Sequence, residues 1–371
     1  MARRREFRID HPNNEASGLL GVQSTPVLKK QGWDVAFWIV SDELDARSAI
    51  AALGRGKGGK WDVVRLEPRG GKDRAKRTED AETLARAGSW VYVFGSQFGS
   101  KDGPLELERH FVARFNEALV TVRGARLFAR VEVARHPFLL HRLVNDAIRD
   151  AGVKVFAADP EIQDGFVKPV LERGAKKGKR WSRLLRPGDT PVNVEGATFL
   201  PGGHLLLGLR FPVSAEGHPI LVELEGIDRY FDAPRSPPQV VAVRVVPAIG
   251  SPGAPAGIRE LDYLGGEIHL ITGNLDSKPE ESALLAHHPR AAHAPNEHWV
   301  VPLAQGKAAR RELRGRRVRA FEEGAAVEGL ALYGDDVWYA RDDDVIHLSV
   351  AEAKDAREGA RRPRRRRGGT A

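Results

Sequence analysis

Several polar residues stand in pairs at the two ends of short apolar hairpins, and their types are those of ligands, anchors and proton carriers. Glu82 is matched by Gln97, Glu195 by Arg210, Arg259 by Asn274 and Glu328 by Asp342, while a looser pair sets Ser17 against Asp42 and Glu43. If the hairpins place these ends at one mouth, several carboxylates and amides face one another and repel unless a cation offsets them. A hard divalent ion such as calcium takes six to eight oxygen ligands from carboxylates, amides, carbonyls and water. Glu195, Glu328, Asn193 and Asn274 are the expected ligands. Arg210 and Arg259 add planar guanidinium groups suited to bidentate capture of carboxylate or phosphate. Glu195, Arg210 and Arg259 are the expected catalytic set, with Glu82, Gln97 and Asp342 contacting the ligand. Metal and arginines together suit a small anionic phosphoryl or acyl ester, the ion polarising the ester and acidifying a bound water. The same residues admit a plainer use, in which Glu195–Arg210 or Arg259–Glu328 are structural ion pairs across the ring. Both uses stay open at this point.

The elements that must position these residues are repeated hairpins. Glu195-Gly196-Ala197-Thr198-Phe199-Leu200 turns at Pro201-Gly202-Gly203 and returns through His204–Arg210; Glu328–Tyr333 turns at Gly334-Asp335 and returns through Val337–Ala340. Glu82–Ala85 with Trp90–Gln97, Arg259–Leu264 with Ile268–Asn274, and Ser17–Leu20 with Val35–Glu43 are further copies. Such apolar runs around glycine turns read as β-hairpins. More strand-like runs follow two of them, Pro219–Leu224 with Val240–Val246, and Trp299–Leu303 with Arg317–Phe321. Four short strands per unit, repeating every roughly 60–70 residues, describe the blades of an all-β propeller. Five hairpins predict five or six blades, the sixth fitting only in the gap between Glu82 and Glu195. That gap also carries helical spacing at Phe138–Asp150 and Pro160–Arg173, so a helix-containing insertion is expected over about 136–190. One domain spans 1–350, and a basic, disordered tail spans 351–371. The run Glu6–Asp10 lacks a partner and is expected to complete the last blade, which closes the ring and removes a sheet edge.

At the motifs Asn193-Val194-Glu195-Gly196, Gly208-Leu209-Arg210-Phe211-Pro212 and Gly257-Ile258-Arg259-Glu260-Leu261 the chain resembles an uncharacterised bacterial family, the domain of unknown function numbered thirty-six sixteen. The resemblance runs over roughly residues 15–345. Glu82-Thr83-Leu84 departs from the family's acid-glycine-leucine pattern. Through its acid-glycine hairpin starts the family is similar to the esterase-like phytases and other calcium-dependent propeller hydrolases. The resemblance implies a propeller and the place of its site, and brings no established activity.

Composition removes other classes. The chain has no cysteine, which excludes disulfides, thiolate nucleophiles and cysteine-bound zinc. No apolar run is long enough for a membrane span, and no apolar stretch follows the N-terminal arginines, so a cytoplasmic protein is expected. The formal charge of +8 is concentrated at the ends, with seven arginines against one glutamate over residues 357–371. The tail Arg361–Arg367 is a candidate contact for nucleic acid or an acidic protein, through salt-sensitive pairing and without base stacking. Gly54–Lys60 resembles a phosphate-binding loop but continues into Trp61 and a strand, where that loop needs Ser or Thr and a helix. His287, His288, His293 and His298 fit no zinc spacing. Two functions from different classes follow: an axial pocket that binds, and on the hydrolase reading cleaves, a small anionic ester; or a non-enzymatic scaffold tethered through its tail.

Overall fold

The computed structural model describes residues 5–9, 16–42, 44–69, 78–232, 237–278, 282–303, 312–322, 324–334, 336–341 and 346–352. Its strands form five antiparallel-based sheets. Blade one is Ser17–Gly21, Trp33–Val40, Ile50–Gly56 and Trp61–Pro68; blade two is Ala81–Ala87, Trp90–Gly95, Phe111–Asn116 and Val131–Arg135. Blade three is Asn193–Phe199, Leu205–Phe211, Ile220–Glu225 and Gln239–Val245; blade four is Gly257–Leu264, Glu267–Gly273, Glu297–Pro302 and Arg316–Ala320. Blade five is Val327–Tyr333, Asp336–Arg341 and Ile346–Glu352, completed by the N-terminal strand Arg5–Ile9, with Phe7 opposite Leu348. The first strands pack side by side in the order one, two, three, four, five, and the fifth returns to the first. The fold is therefore a closed all-β propeller. Between Glu82 and Glu195 there is no separate sheet among the described residues. That stretch finishes blade two and sends Thr121–Arg123 and Arg126–Ala129 to widen blade one, the latter pairing parallel to Trp61–Pro68.

Burial follows position in the ring. The first strand of blade one is buried at every residue and that of blade three at all but its last, because each lies against neighbours on both faces. The outer strands Trp61–Pro68 and Gln239–Val245 keep one face in solvent. The wedges between blades are apolar. Phe37, Trp338 and Leu348 join blades five and one, and Leu206, Leu221, Leu261 and Ile268 join three and four. This packing explains the glycine that follows two of the acids. A Cβ on Gly329 would lie 2.7 Å from the Ala340 Cβ and 3.0 Å from that of Leu19, and one on Gly196 would lie 3.0 Å from Ile258. The inner strands approach too closely there for a side chain.

The insertion forms helices at Leu139–Asp150, Pro160–Phe166 and Lys168–Lys176, the break after Phe166 splitting the long helix expected from the spacing. Its apolar residues Phe138, Phe166 and Val170 pack with Phe98, Phe211, Leu275 and Leu284. Phe98, Phe211 and Leu275 stand at or just beyond the ends of the second strands, so the insertion lies on the face where first strands begin and second strands finish. Backbone bonds tie it to the loop of blade two and that loop to the one of blade four: Leu105 N–H donates to Phe166 O at 3.0 Å, and Ala283 N–H donates to Lys101 O at 3.2 Å. The loops of blades two and four thus meet over blade three as one cap. Gly54–Lys60 is a hairpin tip, with Gly56 N–H donating to Lys60 O at 3.0 Å and no helix after it. The tail Arg361–Arg367 and Asp342 lie outside the described residues.

Candidate functional site

In each of the five first strands, pairing with the second strand skips one residue at the same level. The skipped residues are Gly18, Glu82, Glu195, Arg259 and Glu328. A bulge leaves its extra residue out of the ladder and re-aims it. Five bulges therefore turn five chain-distant positions toward one level of the axis, under the cap. Arg210 is skipped in the same way on the second strand of blade three. The ring reads Gly, Glu, Glu, Arg, Glu in blade order, with no side chain in blade one.

Ion pairs link most of this ring. Glu195 Oε1 accepts from Arg210 Nη1 at 2.7 Å and from Asn193 Nδ2 at 3.2 Å, while Oε2 lies 3.2 Å from Arg259 Nε. Arg259 Nη2 then pairs with Glu328 Oε1. Arg210 Nε donates to the backbone oxygen of Asn274 at 3.4 Å. Asp276, buried beside it, adds a further negative field at Arg210. Asn193 Oδ1 is buried with no hydrogen-bond partner among the described residues.

Glu82 differs from the other two acids. Among the described residues its carboxyl group makes no ion pair and no hydrogen bond. Burial pushes its pKa well above the usual carboxylate range, and Asp80, Glu195 and Asp42 push the same way against the weaker pull of Arg210. Asp80 has its pKa raised first by burial, opposed by Arg109 and by the Ser96 hydroxyl. Arg109 Nη1 donates to Asp80 Oδ2 at 3.0 Å, and Ser96 Oγ donates to the same oxygen. Asp80 and Gln97 both hold positive φ, 67° and 64°. Such backbone strain in non-glycine residues clusters where surrounding structure fixes a site.

Gln97 is brought to the same region but used internally. It is fully buried, and its Nε2 donates to Gly95 O at 3.0 Å and to Arg109 O and Phe111 O at 3.3 Å, while Oε1 faces His110 Nδ1 at 3.2 Å. It bridges the second and third strands of blade two at the mouth. The histidines of the 287–298 stretch scatter: His288 pairs with Asp159, His293 with Gly253 O, and His298 is buried between His269 and Tyr339.

The calcium set expected from the sequence does not fit this geometry. Glu195 and Glu328 spend carboxylate oxygens on guanidinium groups, and Asn193 turns its amide nitrogen toward Glu195. A hard cation needs those oxygens free and no fixed positive charge beside them. Among the described residues, no three His, Asp or Glu side chains are grouped to hold a metal. The alternative read from sequence, ion pairs across the ring, is what these atoms form. Asp80 and Arg109 were not singled out in the sequence. The signal for Asp80 was an acid two residues before a bulge acid, which has no counterpart in the other repeats.

Fold and site thus define a closed propeller with a polar axial mouth roofed by its own helices. No family model matches the chain, and no curated protein matches it. Among solved structures it is similar to the glutaminyl cyclase of Myxococcus xanthus, at 11% identity over 94% of this chain and 97% of that one, with a TM-score of 0.38. It is also similar to a GH43 endo-arabinanase from Bacillus licheniformis, at 10% identity over 93% and 96%, TM-score 0.38, and to virginiamycin B lyase from Staphylococcus aureus, at 10% over 95% and 100%, TM-score 0.34. The architecture rests on the strand pairing and the closed ring, not on these likenesses. No helix among the described residues is long and apolar enough to cross a membrane.

Proposed function

We propose that the capped mouth binds a small polar ester and hydrolyses it, with Glu82 as the proton donor. The observation that carries this reading is the contrast between two acids of one ring. Glu195 is paired with two arginines and an amide, whereas Glu82 is half-buried, has no such partner among the described residues and is raised in pKa. Two acids in such unlike surroundings can divide the roles of proton acceptor and donor. In the proposed reaction water attacks the carbonyl carbon and gives its proton to the Glu195 carboxylate. Glu82 protonates the departing alkoxide, and the proton then passes from Glu195 to Glu82 to restore both. The unpartnered Asn193 Oδ1 offers an acceptor for a ligand hydroxyl.

The cap supports a small ligand over a protein partner, since it narrows access to the mouth. The arginines support no preference for an anion, because Glu195 and Glu328 cancel Arg210 and Arg259. Glu82, Asp80 and Asp276 stand nearby, so an uncharged ester fits better than the anionic one expected from sequence.

The test is turnover of a panel of alkyl and nitrophenyl esters by wild type and Glu82→Gln. Loss of a general acid lowers kcat by about 10²–10⁴-fold. Alkyl esters should lose more than nitrophenyl esters, whose leaving group needs no proton. Wild-type turnover should fall as pH rises through the raised Glu82 pKa, because the donor form is then lost. Full turnover of alkyl esters by Glu82→Gln, or no ester turned over by wild type, overturns the reading.

A further inference from the structure

The same five inner strands end, on the face opposite the cap, in a second cavity. It encloses about 500 Å3 and takes lining residues from every blade, including Arg86, Phe199, Asp262, Tyr263 and Tyr333. This volume suits a small organic molecule. The channel between the two mouths is filled. Thr83 Oγ1 donates to Glu260 Oε1 at 2.9 Å, and because blades two and four are not neighbours this bond crosses the axis. Glu260 is 1% exposed, so the waist is closed and the two mouths are separate sites.

The charge in this cavity is set by Asp262. Its Oδ1 accepts from Tyr263 N–H at 2.7 Å and its Oδ2 from Leu332 N–H at 3.2 Å, and the Thr198 hydroxyl bonds it as well. These contacts fix the carboxylate as part of the wall. Burial raises its pKa to about 6, so it is ionised above that pH. The cation in the wall, Arg86, is already matched. Its Nη2 donates to Glu117 Oε2 and to Gly21 O, both at 2.7 Å, and its Nε to the same Glu117 oxygen at 3.2 Å. Glu117 is in turn held by the N–H groups of Gln23, Ser24 and Trp38. Arg86 and Glu117 cancel, which leaves one negative charge among the described lining residues. The aromatic wall is also fixed. The Tyr333 ring lies where a Cβ on Gly21 would meet it at 2.6 Å, and it sits edge-on to Phe37 at 5.6 Å. Aromatic faces around a carboxylate attract an organic cation through cation–π contact and charge together.

We propose that this second cavity binds a small organic ammonium ion, with its charged head on Asp262 and its apolar body against Tyr333, Tyr263 and Phe199. The site is independent of the ester reading at the capped mouth. The experiment is calorimetric titration of the full-length protein at pH 7.5 and low salt with phenethylammonium, 2-phenylethanol and 3-phenylpropionate, which share a ring and differ in charge. The ammonium should bind saturably, the alcohol at least about tenfold more weakly and the carboxylate not at all, the loss of one charge-assisted contact being worth about tenfold or more. Asp262→Asn should weaken the ammonium by at least about tenfold and Tyr333→Leu severalfold, the cation–π share. Glu82→Gln should leave it unchanged. Equal binding of alcohol and ammonium by wild type, or no saturable binding of the ammonium, overturns the proposal whether or not Asp262→Asn folds.

Discussion

Replacing Glu195 by Gln keeps the side chain's size and removes the charge shared by two arginines. Glu195 and Arg259 side chains are each 6% exposed and Arg210 is 15%, so solvent screens these pairs little. Breaking one partner out of a buried pair costs about 3–5 kcal/mol, because the other charge stays buried. Arg259 keeps Glu328, so the loss falls mainly on Arg210, whose remaining hydrogen bond among the described residues is the 3.4 Å bond to the Asn274 carbonyl. With an unfolding entropy of about 2.1 cal/mol/K per residue, the whole chain unfolds with roughly 0.8 kcal/mol/K, and the midpoint should drop by about 4–6 °C. Glu82→Gln serves as the matched control. It removes a half-buried carboxyl of raised pKa with no partner among the described residues, so at pH 8 its midpoint should equal or exceed that of wild type. Scanning calorimetry of the three proteins reads both effects. A Glu195→Gln midpoint within about 1 °C of wild type would refute the ring as a charge network, as would an equal loss in both variants.

The donor set predicts that calcium added after chelation leaves the wild-type midpoint unmoved, and a rise lost in Glu195→Gln would restore the metal reading. Burial holds His141 at a pKa of about 3, against an ordinary value of 6.5. The unfolded chain therefore takes a proton below pH 6.5 that the folded one refuses, and stability is lost as pH falls. His141→Gln should reduce that loss by about 1 kcal/mol between pH 6.5 and 5.5, read by urea unfolding at each pH; identical pH slopes would contradict a neutral buried imidazole. Asp189, fully buried, accepts from Arg142 Nη1 at 2.7 and 2.9 Å and ties the loop after the cap helices to the helix Leu139–Asp150. Asp189→Asn should cost about 3–5 kcal/mol, and proteolysis should cut the cap before the blades. Cleavage in the blades first would show that the cap does not open separately.

The hairpins were legible because their signals are local. An inner strand buried on both faces must be apolar along its length, and its turn must be glycine-rich, so Glu195–Arg210 and Glu328–Ala340 could be read from residue types alone. The same locality gave the N-terminal strand its place, since Glu6–Asp10 had apolar content and no neighbour to pair with. The acids were legible as candidates because a charged residue opening a buried strand is expensive unless it has a use. The partition of the gap was not legible. Thr121–Arg123 and Arg126–Ala129 leave blade two to widen blade one, a choice made by which sheet edge lies nearer and not by propensity.

What each acid does was decided only in three dimensions. Glu82, Glu195 and Glu328 each stand near the start of an inner strand, and sequence assigned Glu195 and Glu328 to a cation and Glu82 to a ligand. The bulges bring Arg210 and Arg259 to Glu195 and Glu328 but leave Glu82 beside Asp80, so the same residue type becomes an ion pair twice and a half-buried acid of raised pKa once. Asp262 has no motif at all and gains its role from strand ends supplied by all five blades. Sequence by itself determined the strands, the ring and the level of the mouth, because these follow from local patterning repeated along the chain. Tertiary structure alone decided the cap, the pairing of charges and the second cavity. Those depend on distances between residues from different blades, and electrostatic energy is set by such distances and not by residue type.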